Sequence, residues 1–299
     1  SARPAVQPLL DLFEQADALA NRLHRRWLLL LRAQCGLAGL GVLSLMAFGV
    51  YPGARMFLAG YLGALALAVL LHAAGRARAY ERRYLDYRCL AEGLRVQIFW
   101  RLAGLSADVA RGYLRKQSGE LEWIRQALRT GCMVSPPVPP VPQASRLALE
   151  GWVAHQARYF GSAGRPGRAA QRRAQQAHLQ RVAWTLYGLT LVLAVLAWLG
   201  WSRDILVVLM ALGPASYSLL QMYLDRSCLS DEAKEYAQAG LVFGLAEQRL
   251  RELEARRPPD APPDAEIHQL LLELGRDALV ENGDWLLLHR KKPVEFIPV

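Results

Sequence analysis

The amino-acid sequence predicts an all-α, polytopic membrane protein with two transmembrane hairpins, four spans in all, and long cytoplasmic helices that form a helical bundle. Three observations lead to this fold class. Uncharged segments of about 20 residues occur in pairs, the polar break inside each pair is short, and basic residues lie mostly outside the pairs. A helix of about 20 apolar residues crosses the hydrocarbon core of a bilayer. The composition agrees, because 53% of the 299 residues are hydrophobic and the mean hydropathy is +0.09.

The pair of segments nearer the C-terminus is the clearer hairpin. Its uncharged segments, residues 182–202 and 205–224, are separated only by Arg203 and Asp204. A break of two residues suits a tight turn between antiparallel helices. The alternative is a soluble protein that buries four such segments in one core, and a chain of this length favours the membrane.

The first hairpin has the same plan. Residues 33–50 and 56–75 are uncharged, and Tyr51, Pro52 and Gly53 between them are typical of a turn. An amphipathic helix over residues 8–31 leads into this hairpin. It ends in a collar of basic and aromatic residues that is typical of the cytoplasmic edge of a membrane helix. The collar consists of Arg22, Arg25, Arg26, Trp27 and Arg32.

The distribution of positive charge predicts the topology. Residues 76–181, between the hairpins, contain 19 Arg or Lys, whereas the two turns contain only Arg55 and Arg203. Basic residues favour the cytoplasmic side, so both termini and the middle region are predicted to be cytoplasmic. Arg supplies 32 of the 36 basic residues, which is typical of a GC-rich bacterial genome. The expected location is therefore the bacterial inner (cytoplasmic) membrane.

The cytoplasmic segments suggest four parts in chain order. They are residues 1–134 with the first hairpin, a Pro-rich linker at 135–144, residues 145–257 with the second hairpin, and a C-terminal helix and tail at 258–299. The linker is expected to be a stiff polyproline II spacer.

Several cytoplasmic segments have a predicted local structure. Residues 110–128 are predicted to form a helix, and Asn282-Gly283 is predicted to end the last helix of the chain. The glycine-rich loop at 161–167 is interpreted as a hinge, because it follows no strand and lacks the Lys-Ser/Thr of a phosphate-binding loop. The basic helix at 168–181 is expected to attract membrane lipid headgroups rather than nucleic acid.

Polar side chains inside the predicted spans cluster in the fourth. Gly213 and Pro214 predict a kink, and Ser216, Ser218 and Gln221 lie beside them. These five residues are the candidate pore-lining or kink positions. The alternative is that the hydroxyl groups bond to their own helix backbone. No Asp, Glu, Lys or Arg lies in the interior of a predicted span, which disfavours a proton relay or a voltage sensor.

Nothing in the sequence predicts an enzyme. The six histidines are not spaced as metal ligands, the four cysteines form no CxxC pair, and no catalytic motif occurs. We therefore expect no catalytic residue, no metal and no cofactor.

Three short motifs resemble those of a bacterial family. The run 87–95, YRCLAEGLR, is similar to its signature after the first hairpin. A second motif contains Trp152, Gln156, Tyr159 and Phe160. A third consists of residues 274–279 together with Glu281, Asn282, Trp285, His289 and Arg290. The family is the membrane half of prokaryotic proteins with an N-terminal TRPM-type SLOG domain, and the second hairpin resembles the SLOG-associated two-transmembrane (SLATT) effector domains. The matching residues that the family implies to be structural are Tyr87, Arg88, Ala91, Glu92, Trp152, Gln156, Tyr159, Glu281 and Trp285.

The resemblance implies a membrane effector. In that family a SLOG domain, missing from this chain, would sense a nucleotide-derived ligand, and the membrane part would form pores in bacterial defence. We expect an oligomeric ion channel or pore that assembles as a homo-oligomer and is gated from the cytoplasm. A non-conducting scaffold that recruits a partner through its cytoplasmic helices is the first alternative. A small-solute transporter is the second.

Overall fold

All the regular structure described here is helical. The computed structural model describes residues 3–51, 53–114, 119–135, 142–162, 164–165, 167–200, 204–258 and 261–290. A 3₁₀ turn lies at Val109–Arg111 and a π-helical turn at Leu149–Val153. The ten α-helices of these ranges are α1 Arg3–Val50, α2 Arg55–Arg78, α3 Tyr80–Leu102, α4 Glu122–Val134, α5 Ala144–Ala148, α6 Ala154–Phe160, α7 Arg168–Trp198, α8 Asp204–Arg226, α9 Leu229–Arg256 and α10 Ala265–Arg290. The all-α prediction is confirmed.

Three helical stretches are long and apolar enough to cross a membrane. They are Ala5–Val50, Arg55–Leu102 and Arg168–Trp198, and their most apolar windows are only 11%, 6% and 6% buried within the chain. A soluble core would bury such side chains, whereas lipid leaves them on the surface of a single copy. This combination indicates a membrane protein. The fourth predicted span corresponds to α8, which is helical as expected but is not one of these three stretches, so four spans stay a prediction.

The helices that enter each hairpin are continuous. The predicted amphipathic helix and the first span form the single 48-residue helix α1, and α7 joins the predicted basic helix to the third span without a break. The helices that leave each hairpin are interrupted. Ala79 between α2 and α3 has φ +47°, and Cys228 between α8 and α9 has φ +48°. Both backbones are left-handed, which costs a non-glycine residue about 1–2 kcal/mol.

The chain divides into two compact units that each combine distant segments. Unit 1 contains Ser1–Leu23, Glu81–Gln171 and Ala233–Val299, and unit 2 contains His24–Tyr80 and Arg172–Glu232. Each unit groups residues that contact one another, whereas the four predicted parts are consecutive segments of the chain. The four parts therefore stay a prediction.

Unit 1 has an extended hydrophobic core. Helix α3 is its centre, because most of its length after Tyr84 is buried. The core also takes side chains from α1, α4, α9 and α10. Its largest fully buried members are Trp152, Leu9, Leu94, Leu121, Ile124, Leu128, Leu250, Ile267, Leu271 and Leu286. The buried part of α3 is therefore a packing surface of unit 1.

Unit 2 brings its apolar helices together at small residues. A methyl group added to Gly60 on α2 would lie 3.2 Å from the Ser44 hydroxyl of α1. Ala64, one turn further along α2, is 5% exposed. Small residues let two backbones approach closely inside a membrane, where packing drives helix association. A methyl group added to Gly41 of α1 would lie 4.0 Å from Ala64 Cβ, so Gly60 and Ala64 of α2 both pack against α1.

Two local predictions differ from the structure. Of the helix predicted over residues 110–128, only the part from Glu122 onward is α-helical, whereas Val109–Arg111 is a 3₁₀ turn and residues 115–118 lie outside the described residues. Leu114, after the 3₁₀ turn, has φ +54°. Asn282 and Gly283 do not end the last helix, because α10 continues to Arg290. The buried side chain of Leu286 anchors that continuation in the core. Most of the predicted linker at 135–144, and Arg203, lie outside the described residues.

Candidate functional site

The five candidate residues of α8 lie in different environments of unit 2. Gly213 is buried where α8 crosses α7, and a methyl group added to it would lie 2.9 Å from Thr190 Cβ. Pro214 and Ser218 are exposed, and Gln221 is partly buried. Ser216 lines a cleft of about 540 Å³ between α1, α7 and α8. A single copy does not bring these residues to one surface, and their pore-lining role stays a prediction.

Hydroxyl groups on α7 are satisfied within that helix. Thr185 Oγ1 donates to the Arg181 carbonyl oxygen at 2.8 Å, and Thr190 Oγ1 donates to that of Leu186 at 3.0 Å. These are bonds from residue i to residue i−4, which threonine commonly makes in membrane helices. The alternative interpretation of Ser216 and Ser218 is that their hydroxyl groups make the same kind of bond to the backbone of α8.

The first family-like motif forms an ion network in unit 1. Arg88 on α3 donates to Asp17 of α1 at 3.3 Å, and its other nitrogen lies 4.0 Å from Glu92. Arg95 donates to the same Glu92 oxygen at 2.6 Å and lies over the Phe13 ring, 5.3 Å from its centroid. The motif therefore fixes α3 against the N-terminal part of α1 through alternating charges.

Arg88 is held in its charged form. Burial alone would lower the pKa of its guanidinium, but Glu92 and the nearby phenol groups outweigh burial and raise that pKa above its ordinary value. The phenol groups belong to Tyr84, Tyr159 and Tyr236. Tyr159 is part of the second family-like motif, so the fold brings the first two motifs together around one cation.

The second motif begins in the π-helical turn and continues along α6. Trp152 belongs to the π-helical turn, is 1% exposed, and stacks on Phe99 with a ring-centroid distance of 5.5 Å. Phe243 approaches it edge-on at 5.9 Å. Gln156, one turn later, is 4% exposed. π-Helical turns are uncommon and often occur at functional positions, but here the turn serves to insert a large ring between two aromatic side chains.

The third motif lies on α10 and contacts the start of α3, just before the first motif. Arg290 donates to Asp86 at 2.5 Å and to Glu120 at 2.7 Å. Trp285 contacts Tyr84 edge-on at 6.2 Å. Burial raises the pKa of Glu281, helped by Asp277 and opposed by a hydrogen bond with Gln238. These contacts tie the end of α10 to the start of α3.

Several polar anchors of unit 1 were not predicted from the sequence. The Tyr113 hydroxyl bridges the Cys89 carbonyl oxygen at 3.1 Å and Asn282 Oδ1 at 2.5 Å. Fully buried Gln97 donates to the Ala107 carbonyl and accepts from the Val109 amide. These partners are separated by loops or by most of the chain, so no local spacing could identify them.

Burial disfavours ionisation of two thiol groups in unit 1, those of Cys89 and Cys132. Burial raises the pKa of Cys89 to about 12. Burial, reinforced by the Asp108 carboxylate 3.8 Å from the sulfur, raises that of Cys132 to about 11. The nucleophilic form of a cysteine is the thiolate, so the surroundings of both groups disfavour their nucleophilic form.

Alkylation of Cys132 by iodoacetamide at pH 8 should be about 100-fold slower in the folded protein than in the unfolded protein. The reason is that a pKa near 11 leaves about one thiol in a thousand ionised. Peptide mass spectrometry measures the rate at each cysteine. The folded rate should still rise tenfold between pH 9 and 10, whereas the unfolded rate levels off. Equal rates in both states at pH 8 would contradict the assignment.

A carboxylate on α9 is enclosed by two arginines. Glu247 is 5% exposed and accepts from Arg165 at 3.0 Å and from Arg251 at 2.9 Å. Burial alone would raise the pKa of Glu247, but the hydrogen bonds from Arg251 and Arg165 outweigh burial and lower it. The predicted hinge loop, which contains Arg165, is thereby fastened to α9.

Glu247→Gln should lower the stability of unit 1 by about 2 kcal/mol at pH 7, because two charge-assisted hydrogen bonds are weakened. A lowered pKa stabilises the fold fully above the ordinary value of 4.5, and that stabilisation is lost as pH falls through the folded-state value. Between about pH 6 and pH 3, the melting temperature should therefore fall less in the variant than in the wild type. Glu273→Gln, an exposed position on α10, is the control. Parallel pH curves for wild type and Glu247→Gln would refute the role.

Neither metal-binding groups among the described residues nor similarity to known proteins identifies a functional site in this chain. In the described part of the chain, no group of three or more His, Cys, Asp or Glu side chains could hold a metal ion. Comparison with models of protein families, with curated proteins and with solved structures gives no match for this chain.

Proposed function

We propose that this chain is an integral protein of the bacterial inner membrane with four spans, α8 being the fourth. Its homo-oligomer is an ion-conducting pore gated from the cytoplasm. The observation that carries the proposal is the low burial of the apolar windows, 6–11%, within a single copy. Surfaces of that hydropathy need either lipid or other apolar helices against them.

The orientation in this proposal follows from charge. Both termini and unit 1 lie in the cytoplasm, since the residues that flank the hairpins on that side are rich in arginine. Basic residues in the last turn of α2, Arg76 and Arg78, and Arg226 at the end of α8 support the same side. They also complement the negative end of each helix dipole.

Assembly is supported by unpartnered small residues. A methyl group added to Gly63 of α2 or to Gly188 of α7 would meet no atom within 4 Å. Glycine on an open face lets the backbone of another membrane helix approach closely. A second copy can occupy these faces, and a ring of copies would create the axis that a pore requires. The defence role and the control by a nucleotide-sensing SLOG domain rest on the family resemblance alone.

A non-conducting scaffold is the second candidate, and one observation favours it. Leu241 and Leu245 lie one turn apart on α9 and are 59% and 69% exposed. Large apolar side chains that remain exposed together on a polar unit are typical of a partner-binding surface. In the scaffold, the membrane helices anchor this surface and conduct nothing.

Ion flux from liposomes that contain the purified protein, measured together with native mass, tests the pore. We expect a closed ring of several copies and a flux that scales with the amount of ring. Gly63→Leu should reduce both without unfolding the protein, because the added side chain enters open space. Leu67→Met, a volume-conserving change at an exposed position, is the control. A folded monomer without flux would overturn the pore and favour the scaffold.

A further inference from the structure

The cleft in unit 2 that contains Ser216 changes from polar to apolar along all three of its walls. Arg32 of α1, Gln175 of α7 and Tyr223 of α8 supply the polar end. Four residues from each, and therefore one turn away, the walls are formed by small or apolar residues. These are Gly36, Leu179 and Leu219. The same gradient on three helices gives the cleft a hydrophilic mouth and a mainly apolar interior, to which Ser216 contributes a hydroxyl beyond Leu219.

The mouth carries an uncompensated positive charge. Arg32 is exposed and has no ion-pair or hydrogen-bond partner among the described residues. The residues described as lining the cleft include no carboxylate. Arg172 donates to Gln175 at 3.4 Å but is neutralised by Glu232 at 2.9 Å. Arg32 is thus the group that an anionic ligand would meet at this mouth.

The interior has space for an extended apolar chain. A methyl group added to Gly36 would meet no atom within 4 Å. The cavity volume of about 540 Å³ is in the range of small-molecule sites. Leucines from α7 and α8 form the opposite walls. Lipid acyl chains suit such a surface because it offers dispersion contacts and few polar groups.

We propose that this cleft binds one anionic phospholipid, with its phosphate at Arg32 and one acyl chain beside Leu179 and Leu219. The inference rests on the proposed membrane insertion of α8, which would place the polar mouth at the level of the headgroups. The cleft joins α1 of the first hairpin to α7 and α8 of the second. A lipid bound there links the two hairpins and stabilises unit 2 by mass action.

Native mass spectrometry of the full chain, titrated in detergent with phosphatidylglycerol or phosphatidylcholine of identical acyl chains, tests the site. We expect one phosphatidylglycerol to bind about tenfold more tightly than phosphatidylcholine, because the guanidinium makes a charge-assisted contact with the exposed anionic headgroup. Arg32→Gln should abolish this preference. Gly36→Leu should weaken both lipids about equally by filling the interior.

Matched controls lie on the same helix. Arg25→Gln removes an exposed charge outside the cleft, and Gly49→Leu fills open space at the other end of α1. Both should bind as the wild type does. An equal loss of preference in Arg25→Gln would overturn the site in favour of diffuse surface attraction, and so would displacement of the lipid by inorganic phosphate. Absence of any lipid preference in the wild type would overturn it as well.

Extraction of the membranes with alkaline carbonate separates this inference from the proposed function. Protein that resists extraction but shows no lipid preference refutes the cleft and leaves membrane insertion standing. Protein that is released into the aqueous phase refutes membrane insertion, and the cleft proposal falls with it.

Discussion

Replacing Gly240 by alanine should destabilise unit 1 by about 3 kcal/mol and lower its melting temperature by about 6–12 °C. The added methyl group would lie 2.9 Å from the carbonyl carbon of Gly161, closer than real contacts of this kind. The atoms that it meets belong to the backbone, so no side-chain rotation can relieve the clash. Gly161 has φ +95°, a conformation that glycine adopts readily and other residues rarely do. Thermal unfolding followed by circular dichroism measures the change.

Gly112→Ala is the matched control for Gly240→Ala. Gly112 follows the 3₁₀ turn with φ −113°, and a methyl group added there meets no atom within 4 Å. Its melting temperature should stay within about 2 °C of the wild type. If both variants lose the same stability, the close approach of α9 to the 161–167 loop is not the cause. If neither loses any, the loop yields more easily than its backbone contacts indicate.

Gly213→Ala should be the most damaging small change in unit 2, at about 3 kcal/mol. The new methyl group would lie 2.9 Å from Thr190 Cβ and 3.0 Å from the Leu186 carbonyl oxygen, so α7 and α8 must separate. Unfolding of the protein in mixed micelles of increasing SDS content measures this loss. Gly188→Ala, on an open face of α7, should change stability by less than about 0.5 kcal/mol.

A second substitution tests the cause of the Gly213→Ala effect. Thr190→Ala removes the hydroxyl that the new methyl group would strike, while Cβ and the Leu186 carbonyl stay in place. The double variant should therefore recover part of the lost stability, and the two changes should be non-additive. Full additivity would show that Gly213 does not act through Thr190.

Hydropathy and charge predicted the parts of this fold that depend on local composition. The uncharged segments of α1, α2 and α7 are helical and apolar enough to cross a membrane, as the sequence indicated. The length of α1 was also implicit, because the predicted amphipathic helix and first span adjoin without a turn signal. These properties are readable since each depends on neighbouring residues.

The remaining features depend on tertiary contacts. The helix predicted at 110–128 is α-helical only from Glu122, because Leu114 adopts a left-handed backbone and Tyr113 bonds across to α3 and α10. Asn282-Gly283 resembles a helix end, yet burial of Leu286 and the Tyr113–Asn282 bond outweigh the local preference. Within the Arg88 network, the Glu92–Arg95 pair has helical spacing and could be found from sequence. Asp17, 71 residues from Arg88, could not.

The left-handed residues Ala79 and Cys228 have a mechanical consequence for the two halves of the chain. Beyond Pro8, helix α1 keeps a continuous ladder of backbone hydrogen bonds, as does α7, so each resists bending and twisting as a stiff rod. In the returning pairs, α2 with α3 and α8 with α9, the ladder is interrupted at Ala79 and at residues 227–228. Pro214 removes a further backbone hydrogen bond within α8. Bending stiffness therefore differs between the entering and the returning helix of each hairpin, in the same order along the chain.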